Sequence, residues 1–204
     1  MMKETIIQTR VEKHIIKSSD KYFSVMIDFC HKAKNLYNHA NYLVRQTFTT
    51  DKKWIRYAEL DKLLKADEEY PDYQNMPTAQ SAQQILRLID KNWKSFFASI
   101  KDWSAHKEKY SGRPKLPKYL KKNGNFLLIM TNQNCKLKDE KIHFPKSFQG
   151  FALTPKFTEK ENFKSFQQIR LIPKKDRIIA EIIYNIKVPE QKIDNQRYIG
   201  IDIG

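Results

Sequence analysis

The hydrophobic period of this chain changes twice along its length, and that limits the fold more than any other feature. From Thr5 to Lys17 the residues are rich in Ile, Val and Thr with no helical stripe, as in one strand or two short ones. Between Tyr22 and Phe48 the pattern moves to three- and four-residue steps. Leu36, Tyr37, Ala40, Leu43, Val44, Thr47 and Phe48 fall on one face of a helix. A shorter helix is predicted over Tyr57 to Lys65, before the two prolines of "EEYPDYQNMP" interrupt the pattern. A continuous apolar stripe follows through Ala82, Ile85, Leu86, Ile89, Trp93, Phe96, Phe97 and Ile100, with Thr78 placed as its N-cap after Pro77. Packing between helices accounts for that stripe. After Asn125 the helical period is gone. "FLLIM", "KIHFP" and "FQQIRLIP" read as short strands, and Ile178 to Val188 as a longer one with Ala180, Ile182, Tyr184, Ile186 and Val188 on one face. Pro173 with Lys174-Lys175-Asp176 supplies the hairpin turn before it.

Strands, then helices, then strands predict an α+β fold: a β-barrel interrupted by a helical insertion, with both strand groups in one domain. The expected boundaries are 1–20 for the N-terminal barrel strands and 21–122 for the helical insertion with the loop that ends it. Residues 123–195 complete the barrel, and 196–204 form a further strand.

Charge then narrows the partner. Lys and Arg number 38 against 23 Asp and Glu, a net charge of +15, which fits a polyanionic partner such as nucleic acid. A merely soluble, lysine-rich surface is the competing explanation. Part of the excess sits in "HKEKYSGRPKLPKYLKKNGN", where Lys107, Lys109, Arg113, Lys115, Lys118, Lys121 and Lys122 are interleaved with Tyr110 and Tyr119. Prolines hold such a segment extended, cations meet phosphates and tyrosines offer stacking faces. A solvated linker is the other reading. On the helix after Thr78, the face opposite the apolar stripe carries Gln80, Gln83, Gln84, Arg87 and Lys91, available to a partner.

Cys30 and Cys135 are too far apart in sequence, and too few, to argue a disulfide framework or a zinc site. The opening "MMKETIIQTRVEKHIIK" lacks the apolar core of a signal peptide, and no run approaches a membrane span. A cytoplasmic, reduced protein without a membrane partner is expected.

In "YIGIDIG" strict alternation puts Ile199, Ile201 and Ile203 on one strand face and Asp202 on the other between Gly200 and Gly204. A carboxylate so placed suits Mg²⁺, a hard cation that prefers oxygen, although an Asp on the solvent face of an amphipathic strand reads the same way. Two families carry this short motif: actin-like and sugar-kinase ATPases, and RuvC-type nucleases. The former normally open with it, whereas here a long basic stretch precedes it.

Taken together, "SDKYFSVMIDFCHKAKNLYNHANYLVRQTF", "QSAQQILRLIDKNWKSFFASIKDW", "GRPKLPKY" and "YIGIDIG" resemble, in order and spacing, the TnpB (OrfB) proteins of insertion sequences, relatives of the miniature type V CRISPR nucleases. The resemblance implies an OB-like wedge barrel with a helical recognition insertion, followed by a RuvC domain of RNase H-like fold. It also implies an RNA-guided DNA endonuclease, with guide RNA and a target-flanking DNA duplex as partners. By that resemblance Thr78, Gln80, Gln83, Gln84 and Arg87 face the flanking DNA, with Gln83 where a relative carries a duplex-contacting glutamine, a residue suited to adenine. Asp202 becomes the first RuvC carboxylate, both catalytic residue and Mg²⁺ ligand.

The family's later Glu, its final Asp and a four-cysteine zinc cluster lie beyond such a motif. The expectation is therefore a chain cut at the first strand of its catalytic domain, with zinc only in the missing part. One carboxylate does not hold two metal ions, so the chain alone is expected to bind nucleic acid without cutting it. Three alternatives stay open: a nuclease completed by a separate C-terminal half, a nuclease-dead binding remnant, and an ATPase-like fragment.

Overall fold

A computed structural model describes residues 5–159 and 162–189. Its longest pairing joins the two ends of the described chain. Strand β1 (Thr5–Lys17) runs antiparallel to the last strand, Arg177–Pro189, in unbroken register from Thr5 opposite Pro189 to Lys17 opposite Arg177. Between them in sequence come three helices and five further strands. The helices are α1 (Phe23–Asp51), α2 (Tyr57–Lys65) and α3 (Ala79–Ala105). The strands are β2 (Leu128–Thr131), β3 (Lys136–Lys138), β4 (Lys141–His143), β5 (Ala152–Leu153) and β6 (Phe163–Pro173), which makes the last strand β7.

The fold is mixed α+β, with entirely antiparallel sheets ordered β1-β7-β6-β2 and β3-β4-β5. The expected closed barrel is not formed among the described residues. Closure needs a ring of strands hydrogen-bonded without an edge. Here β1 and β2 lie at opposite edges of the larger sheet, and the four-residue β2 is far shorter than the 13-residue β1. The smaller sheet is a separate meander, turned at Asp139 and Glu140, both with positive φ (48° and 59°) as a two-residue type I′ hairpin requires.

Local chemistry explains the element ends. Asp20 accepts a hydrogen bond from the Tyr22 amide (2.8 Å) just ahead of α1, and Lys52 ends that helix in the left-handed region (φ 56°). Thr78 caps α3 as the sequence predicts. Its hydroxyl accepts from the Ser81 amide (3.1 Å) while the Ser81 hydroxyl accepts from the Thr78 amide (3.2 Å). The β6–β7 turn falls at Lys174–Asp176 and is closed by the Lys174 amide on the Arg177 carbonyl (2.8 Å).

One contiguous core unites the helices with both sheets. Ala82, Ile85, Leu86, Ile89 and Trp93 of α3 are buried, as are Leu36 of α1 and Leu60 of α2. The sheets contribute Met130, Ile169 and Ile182 from the larger, and Ile142, backed by Phe148, from the smaller. Trp93 sits edge-on to Phe48 at 5.5 Å, beside Phe96 and Phe97. The helical block and the sheets therefore depend on the same buried surface. No described helix is long and apolar enough to cross a membrane.

Two outcomes follow from this packing. Trp93→Ala empties a wholly buried aromatic site and should destabilise the protein by about 3–5 kcal/mol. Gln83→Ala, outside the packed stripe, should cost no more than about 0.5 kcal/mol. Urea unfolding of the two variants separates them; equal losses would contradict this packing. Burial also pushes the thiols of Cys30 and Cys135 up to about 12. Because only the thiolate attacks disulfide reagents, neither should be modified in the native protein at pH 8, and both should react on unfolding. Reaction of either at the rate of a free thiol would contradict the burial.

Candidate functional site

Residues 111–127 carry the basic segment and form no helix or strand. Their backbone groups must find partners elsewhere or remain in water. The partners come from one stripe on α1. Asn41 Nδ2 donates to the Pro117 carbonyl (3.1 Å). Asn38 clasps Leu120 at both ends, donating to its carbonyl (3.0 Å) and accepting from its amide (2.8 Å). The Lys34 ammonium donates to the Lys122 carbonyl (2.7 Å). His31 Nδ1 lies 3.1 Å from the Gly124 carbonyl, which can only accept, so the proton is on that nitrogen. The Phe126 amide ends the run on the Cys30 carbonyl (2.9 Å).

The spacing of 31, 34, 38 and 41 is the three–four step of a single helix face, and it extends to Arg45, whose guanidinium lies 4.8 Å from the Tyr119 ring. The segment thus lies antiparallel to α1 as a strap. Ten helical residues from His31 to Asn41 advance about 15 Å, whereas the seven strap residues between their partners would reach about 23 Å fully extended. The turn closed by the Gly124 amide on the Lys121 carbonyl (2.9 Å) takes up the excess.

Because the backbone faces α1, the charged side chains face away. Leu116 and Leu120 pack inward against the core, while Arg113, Lys115, Lys118, Lys121 and Lys122 are exposed. Tyr119 is 44% exposed, a ring open to a ligand and already beside a cation. The strap therefore holds lysines and one aromatic ring at fixed origins along about four helical turns of α1, from His31 to Arg45, a geometry suited to a run of phosphates.

Tyr110 does not join this row. Its hydroxyl donates to Asp102 (2.6 Å), whose other carboxylate oxygen meets His106 Nδ1 at 3.0 Å. Hydrogen bonds from Tyr110 first and His106 second hold the Asp102 carboxyl below its ordinary range, and the same bond raises the Tyr110 phenol. Tyr110 ties the start of the strap to the end of α3. Arg113 lies over Trp103, at 5.9 Å from the ring centroid.

The α3 candidates fall in two places apart from the strap. Thr78 is occupied in capping. Gln80 is spent on the turn after β2: its amide nitrogen donates to Gln133 (2.7 Å) and its oxygen accepts from Asn134. Gln83 and Gln84 are half-buried. Arg87 is exposed and lies over the Tyr57 ring (4.3 Å), in a second basic cluster with Arg56, Lys91 and Lys94, where Arg56 forms a two-point ion pair with Asp90 (2.9 and 3.2 Å). From Gln83 to Ser95, which faces the start of the strap, α3 advances about 18 Å.

Asp202 lies outside the described residues. Among the described residues no group of three or more His, Cys, Asp and Glu side chains could hold a metal ion. The described residues therefore do not make up the Mg²⁺ site that the resemblance implies. Cys30 and Cys135 are buried free thiols.

The sequence reading missed His31, Lys34, Asn38, Asn41 and Arg45. Their signal is a stripe one residue out of step with the apolar positions Cys30, Ala33, Tyr37, Ala40 and Val44. Compared with known proteins, the chain matches no protein-family model and no curated protein sequence.

The clasp on Leu120 is open to direct measurement. Asn38→Ala removes two hydrogen bonds worth about 1 kcal/mol each, so the strap should open about 30-fold more often. Limited trypsin digestion after Lys118, Lys121 and Lys122 should accelerate in proportion, since cleavage follows the population of the opened form. Unchanged cleavage would show that the strap is not held by α1.

Proposed function

We propose that this chain is a nucleic-acid-binding protein that grips a phosphate backbone along the strap 111–127. What carries the reading is the α1 stripe that fixes the strap's backbone and leaves its lysines to solvent. A solvated linker has no use for a buried Asn41 and a buried Lys34 beneath it. A merely lysine-rich surface has no use for Tyr119 and Arg45 placed together in the same row.

Within that reading, the resemblance to TnpB proteins supplies the partners: a guide RNA and the duplex flanking its target. The sheet β1-β7-β6-β2 is then an open counterpart of the wedge barrel, and α1–α3 the recognition insertion. Gln83, where the resemblance puts a duplex-contacting glutamine, is the candidate for reading adenine, whereas Gln80 is engaged with Gln133 and Asn134. Asp202 contributes a first metal-binding carboxylate to a RuvC site. No catalytic step is assigned to the described residues. A separate nuclease half is the partner that cleavage would need.

The test is the salt dependence of binding to a structured RNA and to duplex DNA. Each phosphate contact contributes about 0.9 to the slope of log affinity against log salt for duplex and about 0.7 for single strands. Replacing Lys115, Lys118, Lys121 and Lys122 with Ala should flatten the slope by about 3 units, with an unchanged melting temperature because the exposed ammonium groups make no core contacts. An unchanged slope would overturn the assignment of the strap as the backbone track.

A further inference from the structure

Beside the strap, a groove of about 820 Å³ runs between α1 and the connector that follows α2. That volume lies within the range of small-ligand sites. Its walls carry Tyr42 and Tyr70, exposed at 50% and 57%, among the most exposed aromatic rings described. Its floor is His39, with Asp67 at 3.3 Å from Nε2 and Asp72 at 3.4 Å from Nδ1. The Nδ1 atom is buried and makes no hydrogen bond, although Asp72 Oδ2 lies 3.4 Å away. Lys122, one of the exposed strap lysines, closes one end.

The connector wall is built. Asp67 accepts from the Tyr70 amide (2.9 Å), and Gln74 donates to the Lys65 carbonyl (2.8 Å). The Tyr70 ring stands edge-to-face against His39 at 5.6 Å. Two exposed tyrosines bordering the groove, Tyr42 from α1 and Tyr70 from the connector, suit a flat aromatic ligand.

The groove is also polarised. Glu69 and Asp72 make one side acidic, while Lys122 and the Lys34 ammonium beneath it make the other end basic. A ligand that matches carries a negative group, an aromatic ring and an amino donor in that order. An unstacked nucleotide does so if its base bears an exocyclic amine. Cytosine N4 and adenine N6 donate to a carboxylate, whereas the O4 of uracil or thymine presents an acceptor where Asp72 and Glu69 already are. A phosphate backbone following Lys115, Lys118 and Lys121 reaches Lys122, at the mouth of this groove.

We infer that the groove between Tyr42 and Tyr70 receives a single unstacked, amino-bearing base from the strand whose phosphates lie on the strap. This rests on the reading of the strap as a backbone track and adds a base preference that the strap lacks.

The experiment measures fluorescence anisotropy of labelled oligocytidine and oligothymidine, and of oligocytidine and oligouridine as the ribose forms, on the full chain. Oligocytidine should bind about tenfold more tightly than either pyrimidine lacking the amine, in ribose and deoxyribose forms alike. Tyr42→Leu with Tyr70→Leu should weaken oligocytidine binding about tenfold while leaving the salt slope intact. Asp72→Asn should erase most of the preference. Should the double variant or Asp72→Asn melt early because His39 loses a neighbour, Tyr42→Leu alone, on the exposed face of α1, gives the same reading. Equal affinity for the oligomers, or Tyr42→Leu binding like the parent, overturns the groove assignment while the strap survives. Failure of every oligomer to bind overturns both.

Discussion

Asn41 is wholly buried, and its single amide joins three parts of the chain. The oxygen accepts from the Trp93 indole (3.0 Å), which fixes α3 against α1, and the nitrogen donates to the Pro117 carbonyl (3.1 Å), which fixes the strap against both. A buried amide is costly unless both ends are used, and here both are. Removing it leaves an indole donor and a carbonyl acceptor to find other partners. Among the described residues the buried polar or charged side chains are Lys34, Asn41 and Ser81, and two of those three hold the strap while the third caps α3. The core therefore spends most of its polar content on a segment with no secondary structure of its own. That expenditure is what separates the strap from an ordinary surface loop.

Lys34 shows the same logic with a charge. Its ammonium bonds to the Asn35 side chain (2.5 Å) and the Lys122 carbonyl (2.7 Å), so two oxygen dipoles replace water around it. A lysine elsewhere on α1 could lie in solvent at no cost. At this position it satisfies a carbonyl that proline-broken backbone leaves open, and it adds positive charge under a strand of exposed lysines. Repulsion within that strand is tolerable while water screens it, and a bound polyanion would relieve it.

Much of this architecture is legible in the sequence because it is periodic. The apolar steps from Ala82 to Trp93 specify the buried face of α3, the Thr78–Ser81 spacing its start, and the alternation from Ile178 to Ile186 the core face of β7. What sequence patterns miss is pairing. Nothing local to Thr5–Lys17 says that its partner lies at Arg177–Pro189, nor that β2 is too short to close a ring. The α1 stripe is hidden for a related reason. Residues one step after each buried position sit about 100° around the helix, at the boundary between core and solvent. There His31, Asn38 and Arg45 read as surface until a second segment covers them. Gln80 fails in the opposite direction: an apparently free polar side chain is taken up by Gln133 and Asn134, far away in sequence.

The division of labour in the strap follows from which atoms remain. Between Pro117 and Gly124, carbonyls and an amide of the strap are used on α1, so side chains are left to meet a ligand. Arg113 aside, those charged chains are lysines, compact charges on flexible stems that tolerate variation in phosphate position better than the rigid fork of arginine. A fixed backbone with mobile tips avoids most of the cost of ordering the segment on binding, yet does not dictate one ligand geometry. Such a surface favours affinity over discrimination. On the proposed reading, discrimination has to come from rigid groups at the edges of the strap: Tyr119 beside Arg45, and Tyr70 packed edge-on to His39. On the proposed reading, the sequence-tolerant contacts fall where the chain is irregular and the shape-selective ones where α1 supplies a stiff support.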